Sequence, residues 1–281
     1  MSRHFRTCAS AILGLCLVAL LLVGSTGRGA TQTPFIVLQS TTSTQNAGLF
    51  DHLLPRFQAQ TGIAVRVVAV GTGQALRNAA NGDGDVVLVH AKPAELRFVS
   101  EGHGTARYDV MYNDFVIVGP AEDPAALAGG RDAVQALRRI AERRAVFASR
   151  GDDSGTHQME QRLWATAGID AAAASGRWYR ETGSGMGATL NVAVGMGAYA
   201  LTDRATWLAF GNKGDHQILV ENDPLLFNQY GIIPVSSQAH PGVKADLAHR
   251  FVDWILSETG QAAIASFQID GQQLFYPNAR P

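Results

Sequence analysis

The sequence predicts an α/β protein of two lobes, each built on a mixed, mostly parallel sheet flanked by helices. Apolar strands and amphipathic helices alternate along residues 35–90 as β-α-β-α-β, an order that produces parallel strands joined by helical crossovers. Small and hydroxyl-bearing residues fill the turns after several strands, at residues 40–46, 71–74 and 149–157. Ligands of such sheets bind beyond the carboxyl ends of the strands. These turns therefore predict a binding site at one edge of the sheet.

Residues 1–30 have the pattern of a secretory signal peptide. Two arginines precede an uncharged apolar run at residues 9–23, and small residues follow it; the run is short for a membrane span. Both cysteines, Cys8 and Cys16, lie in this segment. We therefore expect an exported protein whose mature chain has no disulfide and no cysteine nucleophile.

Charge and motifs exclude several classes of function. Residues 1–30 contain three arginines and no acid, so the rest of the chain has 20 basic against 24 acidic residues, a net charge of −4. Without a basic run, nucleic acid is not an expected partner. The sequence contains no G-x-S-x-G, no H-E-x-x-H and no Walker pattern. The histidines lack metal-ligand spacing and are expected mostly at the surface or at helix caps. We expect a protein that is not an enzyme and needs no metal or cofactor.

The chain is expected to cross between two lobes twice. A first half with three strands ends in a loop-rich passage after Gly119, and an apolar strand at residues 225–233 leads back to Pro234. These breaks predict a first lobe of residues 31–119 and 234–281 and a second lobe of residues 120–233. Further strands and helices alternate within the second lobe, and two helices at residues 244–267 complete the first.

The turn at residues 149–157 has the chemistry of an anion site. It joins a short strand to a helix, where backbone N–H groups are unpaired and the helix dipole is positive. The guanidinium of Arg150 suits a planar pair of oxyanion oxygens. Alternatively, Asp153 or Ser154 is only a helix cap and Arg150 a surface residue. The consecutive hydroxyls of residues 40–44 exceed what one cap requires, and so favour an anion site.

These motifs, taken in order, resemble those of periplasmic solute-binding proteins of tungstate ABC transporters. The resemblance covers nearly everything after residue 30, and Ser40 stands where the family usually has threonine. The matching stretches are residues 40–44, 70–76, 86–91, 111–120, 149–157, 181–190 and 199–204. The resemblance implies a two-lobed, type II-like fold that binds the oxyanion in the interlobe cleft. It also implies a monomer that delivers the anion to a membrane permease.

The resemblance also implies a set of ligand residues from both lobes. Thr72 and Ser184, in two further small-residue turns, are added to that set. The expected ligands are Thr41, Thr42, Ser43, Thr72, Arg150, Ser154, Thr156 and Ser184. Tungstate and molybdate have almost the same shape and charge, so only the resemblance favours tungstate.

Two other functions stay open at this point. Phosphate sites usually contain a carboxylate that accepts the proton of the monohydrogen ion, and Asp152 or Asp153 is close enough in sequence to do so. We expect both carboxylates to point away and to orient Arg150 instead. A secreted ester hydrolase is the alternative from another class, although no nucleophile or metal set supports it.

Overall fold

The computed structural model describes residues 33–280, and the predicted signal peptide at residues 1–30 lies outside them. The strands, in chain order, are β1 Phe35–Thr41, β2 Ala64–Val70, β3 Val86–Val89, β4 Tyr108–Gly119, β5 Phe147–Ser149, β6 Tyr179–Glu181, β7 Ala200–Asp203, β8 Gln217–Val220, β9 Phe227–Pro234, β10 Gln268–Ile269, β11 Gln272–Gln273 and β12 Tyr276–Pro277. The helices are α1 Thr42–Asn46, α2 Leu49–Thr61, α3 Thr72–Ala80, α4 Lys92–Ser100, α5 Ala133–Arg143, α6 Gly155–Thr166, α7 Met186–Met196, α8 Arg204–Ala209, α9 Ala245–Leu256 and α10 Glu258–Ala265. In this part of the chain, no helix combines the length and the apolar character that a membrane span requires.

The described residues form one eight-stranded main sheet in place of the predicted sheet in each lobe; it is mixed, as predicted, but has more antiparallel pairings than predicted. Its order is β12-β4-β9-β3-β1-β2, and β7 and β8 pair with β4 outside this path. β1 runs parallel to β2 and β3, because helical crossovers connect them. β9 runs antiparallel to both β3 and β4, and β7 and β8 are antiparallel to β4. Hydrophobic runs predict where strands are but not their direction, so the antiparallel pairings could not be read from the pattern.

The described residues form four hydrophobic cores, and the two largest lie on either side of a change of partner in β4. Up to Asp114, β4 pairs with β9, and from Phe115 onward it pairs with β7 and then β8. The first core includes Leu38, Phe57 and Phe251. The second includes Phe115, Phe147 and Trp164. One continuous strand thus passes from the first core to the second.

The lobe limits near Gly119 and Pro234 stay a prediction. Leu226, which directly precedes β9, belongs to the second core, whereas Ile232 near the end of β9 belongs to the first. β4 and β9 therefore both run between the cores, and they pair with each other as antiparallel strands. This arrangement positions the turns after β1 and β5, one from each core, in the same region of the molecule.

Candidate functional site

Turns from the two cores meet directly at the predicted site. Arg150, which follows β5, donates from Nη2 to Thr42 Oγ1 at 3.1 Å. Thr72, at the start of α3, accepts from the backbone N–H of Gly155 at 3.0 Å. The N–H of Gly73 donates to the carbonyl of Asp153 at 3.2 Å. The predicted ligand turns after β1 and β2 therefore contact the turn after β5.

The hydroxyl run after β1 folds into a single helical turn, α1, rather than a plain loop. Thr41 caps this turn by accepting from the N–H of Thr44 at 3.4 Å. Its hydroxyl also lies 3.1 Å from Ser43 Oγ and 2.8 Å from Thr44 Oγ1. Thr41, Ser43 and Thr44 are buried, whereas Thr42 is half-buried. Side-chain hydroxyls favour this geometry because they replace the backbone partners that a helix start lacks.

The turn after β5 forms the N-terminus of α6. Ser154 is the cap residue, and its Oγ accepts from the N–H of His157 at 3.1 Å. Ser154 therefore caps α6, as the alternative interpretation of this turn predicted. Thr156 follows in the first turn of α6, and its buried hydroxyl has no hydrogen-bond partner among the described residues. The free hydroxyl of Thr156 is available to a ligand.

Arg150 is buried, not a surface residue. Its side chain is 1% exposed, and Nη2 contacts Asp152 Oδ2 at 2.6 Å. The other two nitrogens, Nε and Nη1, are buried without a partner in residues 33–280. Burial lowers the pKa of Arg150, and the charge of Asp152 opposes the shift. Buried donors without partners are costly, so two open guanidinium positions indicate a place for an anion.

Both carboxylates beside Arg150 are engaged with the protein. Asp152 uses Oδ2 for Arg150 and Oδ1 for the N–H of Ser154 at 3.2 Å. Asp153 is exposed and lies 3.4 Å from Arg77 Nη1. Asp152 thus holds the guanidinium of Arg150 in place, while Asp153 joins the two cores at the rim.

Ser184 lies beside Arg150, but both of its hydrogen-bond donors already have acceptors in the protein. Its backbone N–H donates to the carbonyl of Arg150 at 3.3 Å, and its hydroxyl donates to the carbonyl of Thr182 at 3.1 Å. A Cβ on Gly185 would lie 3.4 Å from Thr42 Oγ1, so the turn does approach the first core. The structure brings Ser184 near the predicted site with its hydroxyl proton already used.

His90 is a buried neighbour of the site that the sequence pattern did not single out. It is 4% exposed, and Nε2 lies 3.2 Å from Ser43 Oγ. Burial, with a smaller effect of the Arg150 charge, lowers the pKa of His90 to about 4, so its ring is neutral at neutral pH. The expectation that the histidines lie mostly at the surface or at caps is wrong for His90. The available signal was its place at the carboxyl end of β3, beside β1.

Asp203 is a second buried group that sequence reasoning missed. One carboxylate oxygen caps α8 by accepting from the N–H of Thr206 at 2.9 Å, and Oδ2 has no partner in the described chain. Burial raises the pKa of Asp203 to about 6, against the hydrogen bonds of Thr206 and the charge of Arg150. Among residues 33–280, no three acidic or histidine side chains converge as they would around a metal ion.

An open groove lies elsewhere, at the junction of β4 and β9. It has a volume of about 640 Å³ and is lined by Tyr112, Arg204, Phe227 and Tyr276, among others. None of the eight predicted ligands lines it. The predicted anion residues are instead packed against one another.

Comparisons with known proteins agree with this architecture. The model of the PBP superfamily domain matches residues 25–259. The tungstate-binding protein TupA of Peptoclostridium acidaminophilum is 46% identical over 277 residues, covering 93% of this chain and 96% of that protein.

Two solved structures are also similar. The tungstate-binding protein TupA from Desulfovibrio alaskensis G20 is 49% identical with a TM-score of 0.73, and the match covers 88% of this chain and 100% of the other. A tungstate ABC transporter structure from Geobacter sulfurreducens is 46% identical with a TM-score of 0.76, covering 83% and 98%. These similarities confirm the predicted two-lobed α/β fold class.

Proposed function

The chain belongs to the family of the PBP superfamily domain, and we propose that it captures tungstate between its two lobes and delivers it to an ABC importer. One observation carries the proposal. Arg150 Nε, Arg150 Nη1 and Thr156 Oγ1 are buried donors without partners in the described chain, at the point where turns of both cores meet. An oxyanion supplies acceptors for all three. Two tungstate-binding relatives are 46% and 49% identical to this chain.

Hydroxyls that accept from the protein keep their own protons for the ligand. Thr42 accepts from Arg150, Thr72 from Gly155 and Ser154 from His157. Since a hydroxyl both accepts and donates, each can still direct an O–H at an anion. Together with Arg150, they can replace the water that a dianion loses on burial. The proposed ligand set is Thr41, Thr42, Ser43, Thr72, Arg150, Ser154 and Thr156, and Ser184 can join it only when its hydroxyl leaves the carbonyl of Thr182.

The engagement of Asp152 supports an unprotonated oxyanion over phosphate. Its two oxygens already accept from Arg150 and Ser154, so the proton of a monohydrogen ion would have to share them with these donors. One observation favours phosphate as the alternative: Asp203 Oδ2 is a buried carboxylate oxygen without a partner in residues 33–280. Molybdate, with the shape and charge of tungstate, is expected to bind as well.

The same proposal covers the setting in which the protein works. Export by the segment at residues 1–30 would place it in the periplasm, where it would act as a monomer with a membrane permease as partner. It would perform no catalysis and need no cofactor. Closure of a first lobe (residues 31–119 and 234–281) on a second (residues 120–233) would bury the ion, and hinge closure around the ligand is the expected motion.

Calorimetric titration of residues 31–281 tests the proposal. Tungstate is expected to bind tightly and one to one, with molybdate competing and with phosphate and sulfate giving no heat of binding. Tight binding of phosphate with silent tungstate would overturn it. The Asp203→Asn variant further distinguishes tungstate from phosphate as the ligand. It should abolish phosphate binding if Asp203 accepts the proton of phosphate, and it should leave tungstate binding intact.

A further inference from the structure

The turn after β2 lies directly against the turn after β5. The N–H of Gly73 donates to the carbonyl of Asp153 at 3.2 Å, and the N–H of Gly155 donates to Thr72 Oγ1 at 3.0 Å. Thr72 is buried, whereas the side chain of Asp153 is more than half exposed. The contact therefore extends from a proposed ligand residue out to solvent. It also joins the predicted first lobe, which contains Thr72 and Gly73, to the predicted second lobe.

An ion pair lies at the solvent end of this contact. Arg77 Nη1 is 3.4 Å from Asp153 Oδ2, and both side chains are more than half exposed. Each partner is also held from its own side of the contact. Gln74 Oε1 accepts from Arg77 Nη2 at 3.1 Å, and Gln158 Nε2 donates to Asp153 Oδ1 at 3.1 Å. Isolated surface pairs contribute little, because two long side chains must be ordered to form them. Here neighbours on α3 and α6 already provide part of that order.

Glycine at position 73 allows the ion pair to form. A Cβ there would overlap Asp153 Oδ2 and would lie 3.2 Å from Arg77 Nη1, so a larger side chain would stand between the two partners. Asp153 has a φ of 55°, in the left-handed region where aspartate is several-fold enriched among the residues other than glycine. Both turns therefore have, at the point of contact, a residue type that suits this close approach.

We propose that Arg77 and Asp153 form a latch at the rim of the anion site, and that this latch slows the release of the bound ion without contacting it. The inference rests on the proposed function, because it concerns release from that site. The ion pair exists only while the two turns touch, so it stabilises the closed arrangement alone. An ion that leaves by separation of the turns has to break the latch first.

A disulfide in place of the latch tests the contact itself. Residues 31–281 contain no cysteine, so Gly73→Cys/Asp153→Cys supplies the only two thiols of that chain. A Cβ on residue 73 would lie 2.8 Å from Asp153 Cγ. The two Cβ atoms would then be at most about 4.3 Å apart, within the ~3.5–4.5 Å that a disulfide spans. Mass spectrometry should show that oxidation of the ligand-free variant forms this bridge. If a folded variant forms no bridge, the turns do not meet in solution, and the inference is overturned whatever the protein binds.

The same bridge tests whether the ion leaves by separation of these turns. The variant is loaded with tungstate and oxidised, and release into buffer is followed by rapid gel filtration and elemental analysis for tungsten. Release should be at least about tenfold slower than after reduction with a phosphine, because the bridge blocks hinge opening. The single variants Gly73→Cys and Asp153→Cys should release the ion at the same rate before and after oxidation. Equally fast release from the bridged and reduced forms would overturn the proposal.

Charge substitutions test the ion pair without a bridge. Asp153→Asn removes the negative charge and should raise the dissociation rate about twofold to fivefold, the range of an exposed ion pair. Arg77→Glu places a like charge against Asp153 and should raise the rate about fivefold or more, since repulsion replaces attraction. In the Asp153→Asn background, Arg77→Glu should change the rate by less than about 1.5-fold, because the interaction has already been lost.

Arg97→Glu is the matched control for these rates. Arg97 is an exposed arginine of α4 that lines the same groove of about 330 Å³ as Arg77 and Asp153. A charge at the rim acts on association through the electric field, so Arg97→Glu should leave the dissociation rate unchanged. Equal effects of Arg77→Glu and Arg97→Glu on dissociation, or an unchanged rate in Asp153→Asn, would overturn the proposal. If the parent protein does not bind tungstate, the proposed function fails, and bridge formation still decides whether the contact exists.

Discussion

Replacing Arg150 by alanine should remove most of the affinity for tungstate. The guanidinium is 1% exposed, pairs with Asp152, and has Nε and Nη1 open to a ligand. Its loss leaves the dianion without a full positive charge and leaves Asp152 as an unpaired carboxylate beside it. Removing one partner of a buried charge pair costs roughly 3–5 kcal/mol, which corresponds to a hundredfold or greater loss of affinity. Arg150→Lys keeps the charge but cannot present two parallel N–H groups, so it should lose about tenfold or more.

Calorimetry at fixed ionic strength measures both effects, with circular dichroism to establish that each variant is folded. Arg143→Ala is the matched control, because Arg143 is an exposed arginine in the last turn of α5. It should leave affinity unchanged. If folded Arg150→Ala bound tungstate within twofold of the parent protein, the assignment of the open guanidinium positions to the anion would be wrong.

Three further substitutions have distinct expected outcomes. Thr156→Val removes a hydroxyl without a partner in the described chain, so titration should show about tenfold weaker binding while the melting temperature stays the same or rises. Gly155→Ala would put a methyl group 2.9 Å from His90 Cε1 and 3.0 Å from Thr72 Oγ1; X-ray scattering should show less compaction with tungstate, and full compaction would contradict the contact. Burial raises the pKa of Glu160 from 4.5 to about 7. The stabilisation linked to its proton is therefore present below pH 4.5 and lost as the pH rises through 7. In urea unfolding, the stability of Glu160→Gln relative to the parent protein should therefore increase from about pH 4.5 to about pH 8, by roughly 3 kcal/mol at most. A difference that does not change with pH would refute this.

The anion chemistry of the site was predictable because it is local. Arg150 and Ser154 lie within one turn, and the strand-to-helix transition around them is visible in the apolar pattern. The structure shows, in addition, which hydrogen-bond donors remain available to a ligand. Ser184 has committed its hydroxyl proton to a carbonyl, whereas Thr156 has not. Such pairing depends on backbone atoms brought close by the turn geometry, and residue type alone does not report it.

The sequence by itself determined the α/β class, the order of strands and helices, and the hydroxyl and arginine turns, because periodicity, capping and charge act over a few neighbouring residues. Only the tertiary structure decided that β9 pairs antiparallel with β3 and β4, that Thr72 meets Gly155, and that His90 lies under Ser43. The side-chain contacts among these join residues 47 or more positions apart. Their geometry arises from the packing of whole strands and helices around several hydrophobic cores, which no local pattern of residues specifies.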